Sequence, residues 1–221
     1  MAPKRQILIQ AGHIAPREPG FETGTGTIRE QEFTRKLRDK LVALLEEDGR
    51  FEPLPVPGDI PDGIEVDAAL YQHADGSANS KARGTSFGYP EHAVNKRLAG
   101  LIRKHYEKIP GHPPKHADNY TGGLREYYGY RRVATKGPEV LVESGFMTNP
   151  QEQAWLFAHI PQLALAQYRA LLEFFKLDEV QPDVPWRPGM PLWENLPGTQ
   201  PKPKWFWDAL KEYERRRALA A

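Results

Sequence analysis

The first 177 residues alternate between short apolar runs and longer amphipathic stretches. "RQILIQ" (5–10) is apolar and β-branched and is bounded by Gly12, which predicts a strand with His13 just past its C-terminal end. "APREPGFETGTGT" (15–27) is rich in Gly, Pro and Thr and reads as a loop. The next stretch carries Phe33, Leu37, Leu41, Leu44 and Leu45 at helical spacing and stops at Gly49. Thr27 followed by Glu30 resembles a capping box, which puts Glu30 in the first turn of that helix. Prolines interrupt 51–63, leaving room for an edge strand at most. "EVDAALYQHAD" (65–75) predicts a second buried strand, with His73 near its end. Residues 90–109 form an amphipathic helix through Val94, Leu98, Leu101, Ile102 and Ile109. An aromatic, polar segment (110–137) reads as loop with a short helix, and "EVLVES" (139–144) as the third strong strand. A long helix over 149–177 is expected to break at Pro161.

Strands alternating with helices predict an α/β fold, a single domain with a twisted, largely parallel central sheet covered by helices. After Leu177 the pattern changes to a Pro/Trp-rich extension (178–221) that ends in a helix over 205–221. Phe206, Leu210 and Tyr213 line one face of that helix, so the extension is expected to dock on the domain formed by 1–177. Trp186, Trp193, Trp205 and Trp207 are alternatively candidates for binding glycans.

Composition narrows the chemistry. The chain has 221 residues, 39% hydrophobic and 27% charged, with a formal net charge of +1. Such a charge gives no reason to expect nucleic acid as a partner or attraction to an anionic membrane. Cysteine is absent, so thiolate chemistry is excluded and a metal would sit on His, Asp or Glu. The apolar run near the N-terminus is only "ILI", too short for a signal peptide or a membrane span. The expectation is a monomer that is cytoplasmic as synthesised and not inserted in a membrane.

In open α/β sheets, ligands bind outside the carboxyl ends of the strands. His13, His73 and Glu143 each fall at such an end, and a loop can return Glu30 to the same rim. Two imidazoles and a carboxylate with one open position are a common layout for catalytic zinc, which activates water and polarises a carbonyl. A second carboxylate, Glu143, can then move a proton to a leaving amine. Each residue also has a plainer reading. Either His can be structural, Glu30 can be an acid at a helix start, and Glu143 can pair with an Arg of "YRR".

Taken together, "ILIQAGH", "GTIREQEFTRKL", "ALYQHADG" and "GPEVLVESGFMTNPQE" resemble the zinc-dependent N-acetylmuramoyl-L-alanine amidases of the amidase-3 type, found in bacterial cell-wall enzymes and phage endolysins. The resemblance spans roughly residues 5–175, and E-x-G-F-x-x-N after the last strand is its most specific part. It implies Zn2+ on His13, Glu30 and His73, catalysis by Glu143, and peptidoglycan as substrate, cut between the lactyl group of N-acetylmuramic acid and L-alanine. Glu30 rather than Glu32 matches the family's helix through its spacing to Leu37, Leu41 and Leu44. Two positions depart from the usual pattern: Ile14-Ala15 stands where Gly-Gly follows the first His, and Asp75 where an Asn follows the third ligand. With the expected cytoplasmic synthesis, the resemblance implies an endolysin-like enzyme that meets the wall after release. The rival functions are a catalytically silent wall-binding module and a zinc peptidase that cuts within the stem peptide.

Other motifs carry less. "GTGTIRE" lacks the full phosphate-loop pattern, Ser144 lacks the G-x-S-x-G of a nucleophile elbow, and there is no H-E-x-x-H. His112 and His116 are read as loop residues, with substrate contact as the alternative. The aromatics of "REYYGY" either cover the core or stack on substrate.

Overall fold

A computed structural model describes residues 3–14 and 26–179. The expected extension with its docking helix lies outside the described residues.

The central sheet has five strands in the order β2-β1-β4-β7-β5. These are β1 (Arg5–Ala11), β2 (Phe51–Val56), β4 (Ala68–Asp75), β7 (Glu139–Phe146) and β5 (Ser86–Gly88). All neighbouring pairs are parallel except β5 against β7. A separate parallel pair joins β3 (Ile64–Val66) to β6 (Val133–Thr135). Ile7, Leu8 and Ile9 are fully buried, because both faces of β1 are covered, and that is why the run reads as continuously apolar.

One face of the sheet packs on α1 (Glu30–Asp48), α2 (Ala93–Tyr106) and α6 (Ile160–Phe175). The stripe Phe33, Leu37, Leu41 and Leu45 of α1 meets Ile7 and Ile9 of β1, Leu70 of β4 and Val140 and Val142 of β7 in this core. The other face holds a smaller core of Leu8, Ile60, Tyr71, Leu124 and Leu141, against which Tyr127, Tyr128 and Tyr130 pack. It belongs to the short helices α3 (Gly122–Arg125) and α4 (Gly129–Arg132) and their loops. Successive strand residues face opposite ways. The alternation therefore places His73 and Glu143 on the smaller-core face, in line with Tyr71 and Leu141.

Several boundaries differ from the sequence expectation. The proline-interrupted stretch does form an edge strand. Pro53 and Pro55 are two residues apart, so both missing N–H groups fall on the free edge of β2. The predicted strand over 65–75 is divided at Asp67, whose carboxylate accepts the Gln6 N–H at 2.8 Å, leaving β3 and β4 in different sheets. The segment after Gly84, to which the sequence pattern assigned no element, contains β5. The long C-terminal helix is two helices, α5 (Pro150–Ala158) and α6, with the break at His159 and Pro161 in the first turn of α6.

Candidate active site

The chain leaves β1 at Ala11 and turns at Gly12, whose N–H donates to the Gln72 carbonyl of β4 at 2.9 Å. A Cβ at Gly12 would lie 2.4 Å from His73 Cε1, so only glycine lets the first strand end this close to the imidazole. His13 follows with φ 61, a left-handed conformation that swings its ring back over the sheet. Glu30 opens α1. Thr27 does not cap the helix as the capping box predicted, because Arg29, at φ 62, occupies the N-cap position. The Glu30 carboxylate nevertheless turns back to Thr27, accepting its N–H at 2.8 Å through Oε2. The other oxygen, Oε1, accepts the Ala74 N–H at 3.1 Å.

That same Oε1 lies 3.4 Å from His13 Nε2 and 3.3 Å from His73 Nδ1. The three donor atoms lie within 4.8 Å of one another, and the two rings meet edge to face at 4.9 Å between centroids. The His73 tautomer follows from its partners. Tyr127 donates its hydroxyl proton to Gln10 Oε1 at 2.7 Å, so its oxygen accepts from His73 Nε2 at 3.1 Å. His73 Nδ1 is then a bare lone pair facing a carboxylate oxygen. Two acceptors at that distance repel unless a cation lies between them. The two separations from Glu30 also fit zinc, since ligands about 2.0–2.1 Å from a tetrahedral ion stand about 3.3 Å apart. The residues present therefore fit the metal that the sequence reading implied.

Electrostatics separate the two carboxylates of the rim. Burial pushes the Glu30 carboxyl up, but the His73 and His13 imidazoles, which favour its charged form whenever they carry positive charge, and the Thr27 N–H outweigh it, and the group is held below its ordinary range. Burial lowers His73 despite Glu30 beside it, favouring the neutral imidazole that ligates metals. Glu143 is in register with His73 on the adjoining strand. Burial, reinforced by the charges of Asp75 and Glu30, pushes its carboxyl well above the usual carboxylate range. Its Oε2 is sealed from solvent and has no hydrogen-bond partner. The ion pair with "YRR" considered from sequence does not form: Arg132 reaches Asp62 instead, at 2.8 Å.

The structure thus brings His13, Glu30, His73 and Glu143 to one rim. It separates the remaining candidates. Ser144 is fully buried and points to the opposite face from Glu143, so it cannot act as a nucleophile there. His112 packs against Trp155 and Tyr106 and bonds to Thr85 Oγ1 at 3.1 Å, and burial lowers it to about 4. His116 instead stacks edgewise on Phe146 and Tyr120. Tyr120 donates its hydroxyl to Asp75, the residue that departs from the family pattern. The sequence reading missed Gln10 and the supporting role of Tyr127. The signal was a polar Gln inside an apolar strand, since a buried amide must be paired.

These residues and this sheet define an α/β scaffold that carries, at the rim of its central strands, a His-Glu-His cluster able to hold a metal ion. The sequence model of the N-acetylmuramoyl-L-alanine amidase family matches residues 59–172, just over half the chain, and the chain belongs to that family. Among solved structures, the catalytic domain of CwlV, an N-acetylmuramoyl-L-alanine amidase from Bacillus (Paenibacillus) polymyxa var. colistinus, superimposes with a TM-score of 0.60 at 20% identity, covering 79% of this chain and 99% of that one. AmiC2 of Nostoc punctiforme gives 0.58 at 19% identity, with 80% and 99% covered. The catalytic domain of the CD27L endolysin gives 0.61 at 15% identity, with 76% and 97% covered. At these identities the likeness is one of fold. No curated protein sequence matches the chain.

Proposed function

We propose that this protein is a zinc-dependent N-acetylmuramoyl-L-alanine amidase that hydrolyses the amide between N-acetylmuramic acid and L-alanine in peptidoglycan. One observation carries the reading. Glu30 Oε1 stands within 3.4 Å of both imidazoles, and Glu143 is presented one strand away, in register with His73. His13, Glu30 and His73 would hold the ion. Zinc there would supply a Lewis acid for the scissile carbonyl and make water nucleophilic near neutral pH.

The chain's own residues do the rest. Tyr127 and Gln10 fix the His73 ring, so the lone pair of Nδ1 faces the ligand position. Glu143 takes the proton of the attacking water and passes it to the departing L-alanine amine. A carboxyl raised by burial is suited to that shuttle, because it must hold the proton between the two steps.

Met1–Leu177 is taken as the catalytic unit. We read the enzyme as a phage-type lytic protein that acts as a monomer on the wall after release from the cell that makes it. The fold it shares with an endolysin catalytic domain supports that role. Among the described residues no helix is long and apolar enough to cross a membrane.

The test is a digest of purified peptidoglycan, with and without a chelator, read by mass spectrometry. Stem peptides with a free L-alanine amine, lost on chelation and restored by zinc, are expected. Fragments cut within the peptide would overturn the assigned bond, and no release despite bound zinc would favour a silent wall-binding module. Glu143→Gln should lower turnover by about 10²–10⁴-fold while zinc content is unchanged.

A further inference from the structure

Glu143 Oε2, Ser86 Oγ and His116 Nδ1 are all sealed from solvent and all lack a hydrogen-bond partner. They are not scattered. Ser86 is directly opposite Glu143 in the antiparallel β5–β7 pair. Thr85 bridges Lys115 in parallel, and the His116 N–H donates to the Thr85 carbonyl at 2.9 Å, which sets His116 beside Ser86. Residues paired across strands project to the same face. Phe87, next to Ser86, belongs to the larger core on the opposite face, which turns Ser86 towards the Glu143 side. His73, Glu143, Ser86 and His116 therefore form one row across four neighbouring strand segments, running outward from the candidate metal ligand.

Opposed side chains in such a pair have Cβ atoms about 4.5–5.5 Å apart, within reach of one hydroxyl. A serine hydroxyl both donates and accepts, and its proton rotates freely about the C–O bond. Leaving a buried hydroxyl and a buried carboxylate oxygen both unmade is costly, and joining them removes both penalties. The sealing of Oε2 argues against a direct substrate contact by that atom and for an internal partner.

We propose that Ser86 is a positioning residue for Glu143: its hydroxyl donates to Oε2, its oxygen accepts from His116 Nδ1–H, and the carboxyl is thereby locked with its other oxygen turned to the reacting bond. This rests on the reading of Glu143 as the proton shuttle.

The experiment uses the full chain loaded with zinc and a soluble muramoyl-peptide as substrate. Ser86→Ala, Ser86→Thr and Glu143→Gln are compared for kcat, KM, zinc content and thermal midpoint. Ser86→Ala is expected to lower kcat about tenfold through the misplaced carboxyl, with KM within twofold and zinc content unchanged. Its midpoint should fall by a few degrees, because the variant takes the partner from both Glu143 Oε2 and His116 Nδ1. Ser86→Thr, which restores the hydroxyl, should recover most of the rate. Ser86→Ala at wild-type kcat alongside an inactive Glu143→Gln overturns this proposal alone. A rise in KM or loss of zinc also overturns it, because Ser86 would then act on substrate or metal. Wild-type turnover by Glu143→Gln overturns the shuttle reading and this inference with it.

Discussion

Glu152 shows how much of the fold hangs on one buried carboxylate away from the candidate metal ligands. It sits in the first turn of α5, only 1% exposed. Its oxygens accept the Gly84 N–H at 3.1 Å, just before β5, and the Phe146 N–H at 2.9 Å, at the end of β7. The Arg83 guanidinium adds an ion pair at 3.1 Å. One side chain thus ties the strand of Ser86 to the strand of Glu143. It also explains Gly145, which has φ 155 and where a Cβ would lie 3.2 Å from Glu152 Oε2.

Truncation to Ala leaves two N–H groups without their partner. Each costs about 1–3 kcal/mol when it stays buried, and Arg83 loses a charge-assisted bond besides. We expect Glu152→Ala to lose about 4 kcal/mol. For a domain of this size that corresponds to roughly 8–16 °C in the thermal midpoint. Glu32 is the control. Its ion pairs with Arg29 and Lys36, at 2.9 and 2.6 Å, lie on the exposed side of α1, and Glu32→Ala should leave the urea midpoint close to that of the parent. Urea unfolding of both variants and the parent gives the comparison. A loss below about 1 kcal/mol for Glu152→Ala would refute the claim that this carboxylate clamps the two strands.

Three further outcomes follow from the site and its surroundings. Tyr127→Phe removes the acceptor for His73 Nε2 and should weaken zinc binding about 10-fold without unfolding the domain, as read by competition with a chromophoric chelator. Gly12→Ala forces its methyl against His73, 2.4 Å from Cε1, and should weaken zinc binding at least as much; unchanged affinity in either variant would show that the ring is held by something else. Glu139, where burial outweighs the Tyr71 hydrogen bond, is pushed up to about 7 from an ordinary 4.5. Between those values the folded chain holds a proton that the unfolded chain has released, so stability falls as pH rises from about 4.5 to about 7 and is flat above. Allowing for water near this partly buried carboxyl, the loss is about 1–2 kcal/mol. Glu139→Gln should abolish it in urea melts at pH 5 and pH 8, and a slope that survives the substitution belongs to another group.

The elements that the sequence revealed are those whose burial is dictated locally. β1 and β7 are covered on both faces and built on the apolar runs ILI and VLV, and the stripe of α1 repeats every three to four residues, so the pattern alone marks them. His13 and Glu30 were legible because they sit where β1 stops and α1 starts, and His73 and Glu143 because they fall in the C-terminal halves of strongly apolar runs. What escaped depends on distant partners. β5 is three residues long and is a strand only because β7 offers an edge. Asp67 divides one predicted strand into two by bonding to Gln6, 61 positions away. Tyr127 reaches Gln10 across 117 positions, so no local pattern distinguishes it from the tyrosines that fill the smaller core. Thr27 and Glu30 do interact as the capping pattern suggested. Arg29 in the left-handed region delays the helix, which makes Glu30 its first residue and frees the carboxylate to face the two imidazoles.

The two rim carboxylates also show how one sheet can set opposite chemistry within a few residues' reach. Glu30 is buried and Glu143 is half-buried with one oxygen sealed, and loss of solvent alone would raise both. Glu30 comes from a helix start, where the Thr27 and Ala74 N–H groups and two imidazoles converge on it, and they favour its ionised form. Glu143 comes from the middle of a strand, where the backbone N–H groups are already spent on the ladder. Its charged neighbours, Asp75 and Glu30, are both acidic, so nothing opposes the effect of burial. Exchanging the two residue types would change nothing, since both are glutamates. The difference between them is written in what each position's backbone has left to donate: Glu30 is offered N–H groups that favour its charged form, and Glu143, inside a strand, is not.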